Sequence, residues 1–517
     1  MQFSTTATLS PLMRLHATDN VMIARGPIPV GTLLLDGRFT AATLIPRGHK
    51  IATQPLAVGE PILRYGQVIG FASKAIAPGE HVHVHNCEMR AFDRDTSPGV
   101  DAGPTAYANE PATFAGIVRE DGQVATRNYV GILTSVNCSA GTARYIAEAF
   151  RKNPFTGEGL LADFPHVDGV IALGHRTGCG MASEGAPVDV LRRVIGGYAR
   201  HPNFAAVLMV GLGCEANQLG ALLRAEGLVE SDKLATLVIQ ESGGARKSVE
   251  RGVDHLRALL PQINQVRRTP VSVAHLKVAL QCGGSDGFSG LTANPALGHA
   301  SDLVIQHGGT AILTETTEIY GAEHLLTRRA ETPAVAQKLL DKIEWWKDYT
   351  RRNGGEIDNN PSPGNKAGGL TNIVEKSLGA VVKAGTTNLT DVVDYARPVT
   401  TKGLVVMDGP GFDPVSATGQ VAGGANVLCF TTGRGSVFGC KPTPSMKLAT
   451  NTPLYDHMPD DMDINCGTIA DGAETVEQCG ERIFEAILRV ASGERTKSEQ
   501  MGFGDDEFAP WQLGATV

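Results

Sequence analysis

Four of the nine cysteines, Cys138, Cys179, Cys214 and Cys282, share one setting. Each lies just past a strand-like apolar run, in a loop rich in Gly or Ser. Thiolates suit iron–sulfur clusters and other soft metals. In open α/β sheets, ligands bind beyond the carboxyl ends of the strands, so four thiols placed this way could converge on one centre. No C-x-x-C pair supports that from local spacing, and cysteine is also a common small buried residue. The spacing leaves both readings open.

The loop around Cys282, QCGGSDGFSG, packs one thiol, one carboxylate (Asp286), two hydroxyls and four glycines into ten residues. A loop that only had to turn needs fewer of these. NPSPGNKAGG, Asn360 to Gly369, joins backbone-fixing prolines to a donor, Asn365, and a cation, Lys366. TTGRG follows another apolar run and presents Arg434, a residue type that binds a carboxylate with two parallel hydrogen bonds. Both are rigid turns on the plainest reading, but two cationic loops in one block suit an anionic ligand. HVHVHN spaces His81, His83 and His85 at i, i+2 and i+4, one face of a strand, as a metal-facing row or a solvated edge. His16 (LHATDN) and His49 with Lys50 (RGHK) fall in turns of the same region. Glu315 and Glu318 of TETTE, and Asp463 of MDIN, are candidate bases, metal ligands or helix caps. GLGCEANQLG fits G-x-G-x-x-A after a strand, with Glu230 further on. A tight strand-to-helix turn explains it better than a dinucleotide loop, and Glu215 beside Cys214 suggests site chemistry.

These groups need a scaffold. Residues 12–90 read as a small β-rich module, with short apolar runs (NVMIA, TLLL, ATLIP, PILRYG, QVIGFAS) between turn pieces. Residues 91–112 lack periodicity and carry Pro, Gly and Asp, as a linker does. From residue 113, strand-like runs alternate with glycine-rich loops and helical stretches. That alternation predicts parallel sheets flanked by helices, over 113–265 and 272–517 with a boundary at 261–272.

The bulk numbers exclude some functions. A chain of 517 residues exceeds a single core. Lys plus Arg is 46 against 54 for Asp plus Glu, a net charge of -8, which argues against nucleic-acid or anionic-membrane partners. No apolar run reaches the length of a membrane span, and MQFSTTATLSPLMRLHATDN lacks the pattern of a secretion signal. A cytoplasmic protein with reduced thiols is expected, with a small-molecule substrate and a homodimeric assembly.

The combination GHK, HVHVHN, TRNYVGILTSVNC, GCG, GLGCE, QCGGSDGFSGLTANP, NPSPGNKAGG and TTGRG resembles the altronate/galactarate dehydratase family, from about His16 to Gly502. The resemblance implies an α/β chain: a small N-terminal β-rich SAF-type domain, then two Rossmann-like α/β domains. It implies dehydration of a C6 sugar acid to a 2-keto-3-deoxy acid, with a divalent metal, usually ferrous iron, bound singly or as a cluster; manganese is the substitute. HVHVHN resembles the altronate branch and MDINCGTIADGAETVE the galactarate branch, so D-altronate is the expected substrate and galactarate the alternative. A related branch eliminates sulfite from sulfolactate with the SAF module on a separate chain, and the fusion here argues for a sugar acid.

Under this resemblance iron is expected on Cys179, Cys214 and Cys282, with Cys138, His83 and His85 as alternative ligands. The expected catalytic set is His16, His49, Lys50, Glu215 and Asp286. Ser285, Asn294, Asn365, Lys366 and Arg434 are expected to bind substrate. Two other classes stay open: an NAD(P)-dependent oxidoreductase, resting on GLGCEA, and a non-catalytic sugar-acid sensor.

Overall fold

The computed structural model describes residues 10–90, 92–151 and 158–514. The first nine residues of MQFSTTATLSPLMRLHATDN, the stretch expected to lack a secretion-signal pattern, lie outside them. Three small antiparallel sheets build the N-terminal module, the smallest being Leu33–Leu34 with Phe39–Thr40. Of the larger two, one runs Leu12–Met13, Val21–Ala24, Lys50–Ala52, His81–Val82; the other pairs Pro61–Arg64, Gln67–Ala72 and Cys87–Glu88. The glycines at Gly31, Gly48, Gly59 and Gly79 turn the chain between these short strands at positive φ, where a side chain would be strained. The HVHVHN stretch is a strand only over His81–Val82. Asn86 then folds the chain into a turn by accepting from the His83 amide (2.9 Å) and donating to the His81 carbonyl (2.9 Å).

Segment 92–112 carries no helix or strand. It is strapped to the C-terminal domain by Arg328, which pairs with Asp95 and Asp101. The middle domain holds four parallel strands in the order Gly169–Leu173, Tyr129–Thr134, Phe204–Gly211, Leu234–Val238. The expected boundary at 261–272 is part of the structure. Its Arg268–Ser272 strand pairs antiparallel with Thr113–Val118 and ties the start of the domain to its end.

The C-terminal domain is a seven-stranded parallel sheet. Its order is Leu389–Val393, Gly403–Met407, Thr310–Leu313, Lys277–Cys282, Val427–Thr432, Ser445–Ala449, Ile464–Asn465. The central strands are almost wholly buried because helices cover the sheet. Helix Ala293–Gln306 is buried nearly all round, wedged between the sheet and the amphipathic helix Val476–Ala491, which a Thr475–Gln478 capping box starts.

Strand order places the ligand region. From Lys277–Cys282 the chain adds strands on one side and then returns to add Val427–Thr432 and its successors on the other. Such a reversal opens a crevice beyond the carboxyl ends of the two central strands. The loops there are QCGGSDGFSG and TTGRG.

The modules share cores. Val21, Ile62 and Ile69 of the N-terminal module pack in one cluster with Leu378 and Val381. Leu133 and Met209 of the middle domain join Leu428 and Phe430 in another. No helix among the described residues is long and apolar enough to cross a membrane.

Candidate active site

The crevice loops are fastened by buried polar side chains. Asp286 accepts from the Phe288 amide (3.0 Å), Ser289 Oγ (3.1 Å), Thr450 Oγ1 (3.0 Å) and Asn451 Nδ2 (3.2 Å). A Cβ on Gly433 would lie 2.2 Å from its carboxyl carbon, so only glycine lets TTGRG pass. Burial pushes the Asp286 carboxyl above the usual range, against these hydrogen bonds. Asn365 closes a capping box with Ser362 and donates from Nδ2 to the Ser285 carbonyl (2.8 Å). Asn294 is spent on the Gly379 carbonyl (2.7 Å) and Thr431 Oγ1 (2.6 Å). Asp286, Asn365 and Asn294 therefore shape the crevice. Lys366, half-buried, and Arg434, exposed, carry the positive charge of these loops.

The N-terminal module closes over the same loops. Gly48 lies so near that a Cβ on Gly287 would sit 1.9 Å from its carbonyl oxygen. His49 Nε2 donates to the Ala367 carbonyl (3.1 Å), which leaves Nδ1 as the lone-pair nitrogen facing His81 Nε2 at 2.9 Å. The rings of His81 and His83 stack at 5.4 Å, and His85 stands 5.4 Å from His81. His83 Nδ1 is buried without a partner. Lys50 is fully buried and committed: it donates to the Gly369 carbonyl (2.7 Å) and to Glu375 (2.9 Å). It docks the module and is not a free acid or base. His16 also differs from expectation. It stays on an exposed turn, bonded to Thr18 Oγ1 at 2.7 Å and packed over Gly66.

Behind the loops lies a buried charged pocket at the ends of the Lys277–Cys282 and Thr310–Leu313 strands. The Cys282 thiol donates to Glu315 and to Glu318, each at 3.6 Å. Lys383 reaches Glu315 (3.1 Å), and Lys376 reaches Glu318 (2.7 Å) and Asn360 Oδ1 (2.9 Å). The Asp413 carboxylate borders Gly283, 2.3 Å from where its Cβ would be. Burial, reinforced by the other carboxylates and opposed by the lysines, pushes Glu315 up to about 8. Burial and then Glu318 push Asp413 up to about 7. Burial likewise raises the Cys282 thiol. Glu315 also holds a left-handed backbone, φ 67°, a strain that clusters at functional sites.

Sequence reading reached Glu315 and Glu318 but passed over Lys376, Lys383 and Asp413. The available signal was NIVEKSLGAVVKAG. Two lysines seven residues apart in an apolar helical run cannot both be solvated unless they face a polar pocket.

The expected cysteine centre does not form around Cys282. Among the described residues, two groups of three potential ligand atoms lie within 4.8 Å of one another: His49, His81 and His83, and Cys282, Glu315 and Glu318. Neither includes Cys138, Cys179 or Cys214, which are exposed on the middle domain. Glu215 belongs there too. Its carboxylate accepts from Ser135 Oγ (2.6 Å), Leu212 N (3.2 Å) and Gly213 N (2.6 Å). Those amides are the ones a pyrophosphate would need, so GLGCEA is a self-closed turn.

The two groups differ as metal sites. Burial, then the neighbouring histidines for His81 and Lys50 for His83, pulls His81 down to about 3 and His83 to about 4, so both imidazoles are neutral near pH 7, the form that ligates. With His49 Nδ1 and the orphaned His83 Nδ1, they fit a divalent ion. The Cys282 group is already balanced by two ammonium groups, which would repel a dication.

This arrangement has relatives. Residues 10–90 match the altronate/galactarate dehydratase SAF domain, 116–264 the second domain of D-galactarate dehydratase/altronate hydrolase, and 273–516 the C-terminal domain of D-galactarate/altronate dehydratase. The chain is 36% identical to an altronate dehydratase of Bacillus subtilis over 98% of this chain and all of the relative. It is 35% identical to an altronate dehydratase of Escherichia coli over 98% of this chain and 99% of that one. A galactarate dehydratase (L-threo-forming) of Escherichia coli is 39% identical over 95% of this chain and 94% of its own length. The chain belongs to the altronate/galactarate dehydratase family of hydro-lyases.

Proposed function

We propose that the protein removes water from a six-carbon sugar acid, D-altronate first and galactarate as the alternative, giving a 2-keto-3-deoxy acid. The observation that carries this reading is the buried Cys282 pocket, where two lysines face three carboxyl groups and two of those carboxyls titrate near neutrality. Dehydration removes a weakly acidic proton beside a carboxylate and expels a β-hydroxyl. Charge gathers on the substrate carboxylate as the proton leaves, and fixed cations in a dry site stabilise it without reorganising. Lys383 and Lys376 are such cations: burial works against their charge, but Glu318 beside Lys376 and Cys282 and Glu315 beside Lys383 outweigh it and raise both. Glu315 and Asp413 can hold a proton at pH 7 and still release it, as a general acid and base must. Arg434 and Lys366 at the mouth draw in the anionic substrate.

His49, His81 and His83 would hold a divalent metal, ferrous iron or manganese. When bound, that ion supplies a Lewis acid for a substrate oxygen. The altronate assignment draws support from two relatives of that name aligned over nearly their full length. The galactarate relative, at slightly higher identity, makes that acid the second substrate to try.

The test is an anaerobic assay with ferrous iron across hexonates and hexarates, reading the 2-keto-3-deoxy product. Turnover of D-altronate is expected. Turnover of galactarate alone moves the protein to the other branch, and no turnover of any member removes the sugar-acid reading.

A further inference from the structure

Glu315 is held in two costly states at once. Its backbone is left-handed (φ 67°), and its Oε1 is buried without a hydrogen-bond partner. Oε2 takes both the Cys282 thiol (3.6 Å) and Lys383 (3.1 Å). Such a conformation persists only where the surroundings over-determine it. The fastening is the next residue. The Thr316 amide donates to the Gly409 carbonyl (2.9 Å), and the Gly409 amide donates back to Thr316 Oγ1 (3.1 Å). That hydroxyl donates in turn to Asp408 Oδ1 (2.8 Å). Further along, the Gly411 amide donates to Thr317 Oγ1 (3.1 Å). These bonds zip together the loops after two paired strands, Thr310–Leu313 and Gly403–Met407. The first loop carries Glu315 and Glu318, and the second carries Asp413. Asp408 itself is firmly held. Trp346 Nε1 donates to the same oxygen (2.9 Å), Lys342 Nζ lies 3.5 Å from the other, and the Asp408 amide donates to the Val393 carbonyl (2.8 Å). Trp346 is stacked on Trp511, ring centres 5.1 Å apart.

We infer that Asp408 is a positioning residue for the reaction. Through Thr316 it holds Glu315 in the strained form that leaves Oε1 free for a substrate oxygen, and in register with Asp413 on the neighbouring loop. This rests on the reading that Glu315 and Asp413 move the protons of the dehydration. The Asp408 carboxylate bonds to Thr316, Trp346 and Lys342, none of which belongs to the Cys282 pocket, so its effect travels through the threonine hydroxyl. Without that bond, Thr316 is free to turn, and Glu315 can relax out of the left-handed region. It would then leave its place among Cys282, Glu318, Lys376, Lys383 and Asp413. A displacement of about 1 Å at a reacting group is enough to cost about 10²-fold in rate.

The test sets Thr316→Val against Thr316→Ser, and Asp408→Ala against Asp408→Asn, in the full chain. Valine keeps the shape and loses the hydroxyl, and serine keeps the hydroxyl. Asparagine keeps an oxygen for Thr316 and Trp346, and alanine does not. Thr316→Val and Asp408→Ala should lower kcat about 10²-fold with KM little changed, while the serine and asparagine variants stay within about tenfold of the parent. The alkaline limb of the kcat–pH profile should also move toward acid in the two impaired variants, because a Glu315 released from burial titrates below about 8. A merely structural loss leaves that limb in place. Equal rates for Thr316→Val and Thr316→Ser, or an unmoved limb in Thr316→Val, overturn the inference. If no sugar acid is turned over, the proposed function fails, and urea titration still decides this point. Thr316→Val should shrink the loss of stability toward pH 8 that a buried Glu315 causes, and Thr316→Ser should keep it. A loss of the same size in both overturns the inference. The threonine pair carries the test where Asp408→Ala fails to fold.

Discussion

Glu375 and Lys376 are neighbours on the helix Ile373–Val381, both buried, and they serve opposite kinds of cluster. Glu375 meets two cations, Lys50 (2.9 Å) and Arg64 (2.5 Å), and accepts from Thr371 N and Oγ1. Burial alone would raise its pKa, but Lys50 and then Arg64 override it and hold the carboxyl at about 2. Lys376 faces the other way, into a pocket with more acids than bases, where burial wins and Glu315 rises to about 8. Burial is the same on both sides of the helix. The count of opposite charges decides whether a buried carboxyl becomes glue between modules or a proton carrier.

The largest expected effects fall on the pocket. Lys383→Met and Glu315→Gln should each lower kcat/KM by about 10²–10⁴-fold, the range for losing a positioned proton-transfer or charge-stabilising group. Glu315→Gln should leave the midpoint of urea unfolding unchanged or higher, since it removes a carboxyl the fold strains to bury. A rate within tenfold of the parent for both variants breaks the assignment of chemistry to this pocket. On the other side of the helix, Glu375→Ala strands two buried cations and should cost about 3–5 kcal/mol in unfolding free energy. A loss under about 1 kcal/mol, on the scale of an exposed ion pair, would mean the cluster does not hold the modules together.

Acid and base should separate the two sides as well. Glu375 is depressed below its unfolded value of 4.5, so its stabilisation is present above pH 4.5 and disappears as pH falls toward about 2. Glu315 is raised, so its contribution is present below pH 4.5 and disappears as pH climbs through about 8. His81 and His83, depressed from 6.5 to about 3 and about 4, add stability above pH 6.5 that drains away below it. Stability against pH, followed by urea titration, should rise from acid and then sag toward pH 8. Glu315→Gln should shrink the sag, with Asp413, raised to about 7, keeping the rest, and should leave the acid limb. A sag of undiminished size in that variant would mean that Glu315 is not a strained group.

These two sides were unequally legible in the sequence. The parallel sheets, the small β module and the loops QCGGSDGFSG, NPSPGNKAGG and TTGRG announced themselves through short-range pattern. Their convergence follows from one topological fact, the reversal of strand order beside Lys277–Cys282. Which side chains act in those loops was harder to read. Asp286, Asn294, Asn365 and Lys50 have chemistry-bearing types, yet the fold spends them on carbonyls, amides and ion pairs up to 319 residues away. Cys282 was singled out for its thiol, but its partners are acids brought by the next strand. Residue type sets what a group can do, and only long-range packing sets whether it is left free to do it.

The closeness of that packing gives the smallest and most local prediction. Gly287 and Gly364 belong to loops that meet at the crevice. A Cβ on Gly287 would enter the backbone of the N-terminal module, 1.9 Å from the Gly48 carbonyl, and backbone cannot rotate away. Gly287 also gives its carbonyl to Arg64 (2.6 Å) and its amide to Gly368 (2.8 Å), so the loop cannot retreat without breaking both. Gly287→Ala should therefore cost about 1–3 kcal/mol, as overpacking does. Its activity loss should exceed its stability loss, because the displaced module carries His49. Gly364 sits on the short helix Pro363–Ala367, where a Cβ meets only Ser362 Oγ at 3.8 Å. There alanine should stabilise by up to about 1 kcal/mol, through the conformational entropy that glycine otherwise loses on folding. Equal effects of the two substitutions would mean that the N-terminal module does not rest on the Gly287 loop.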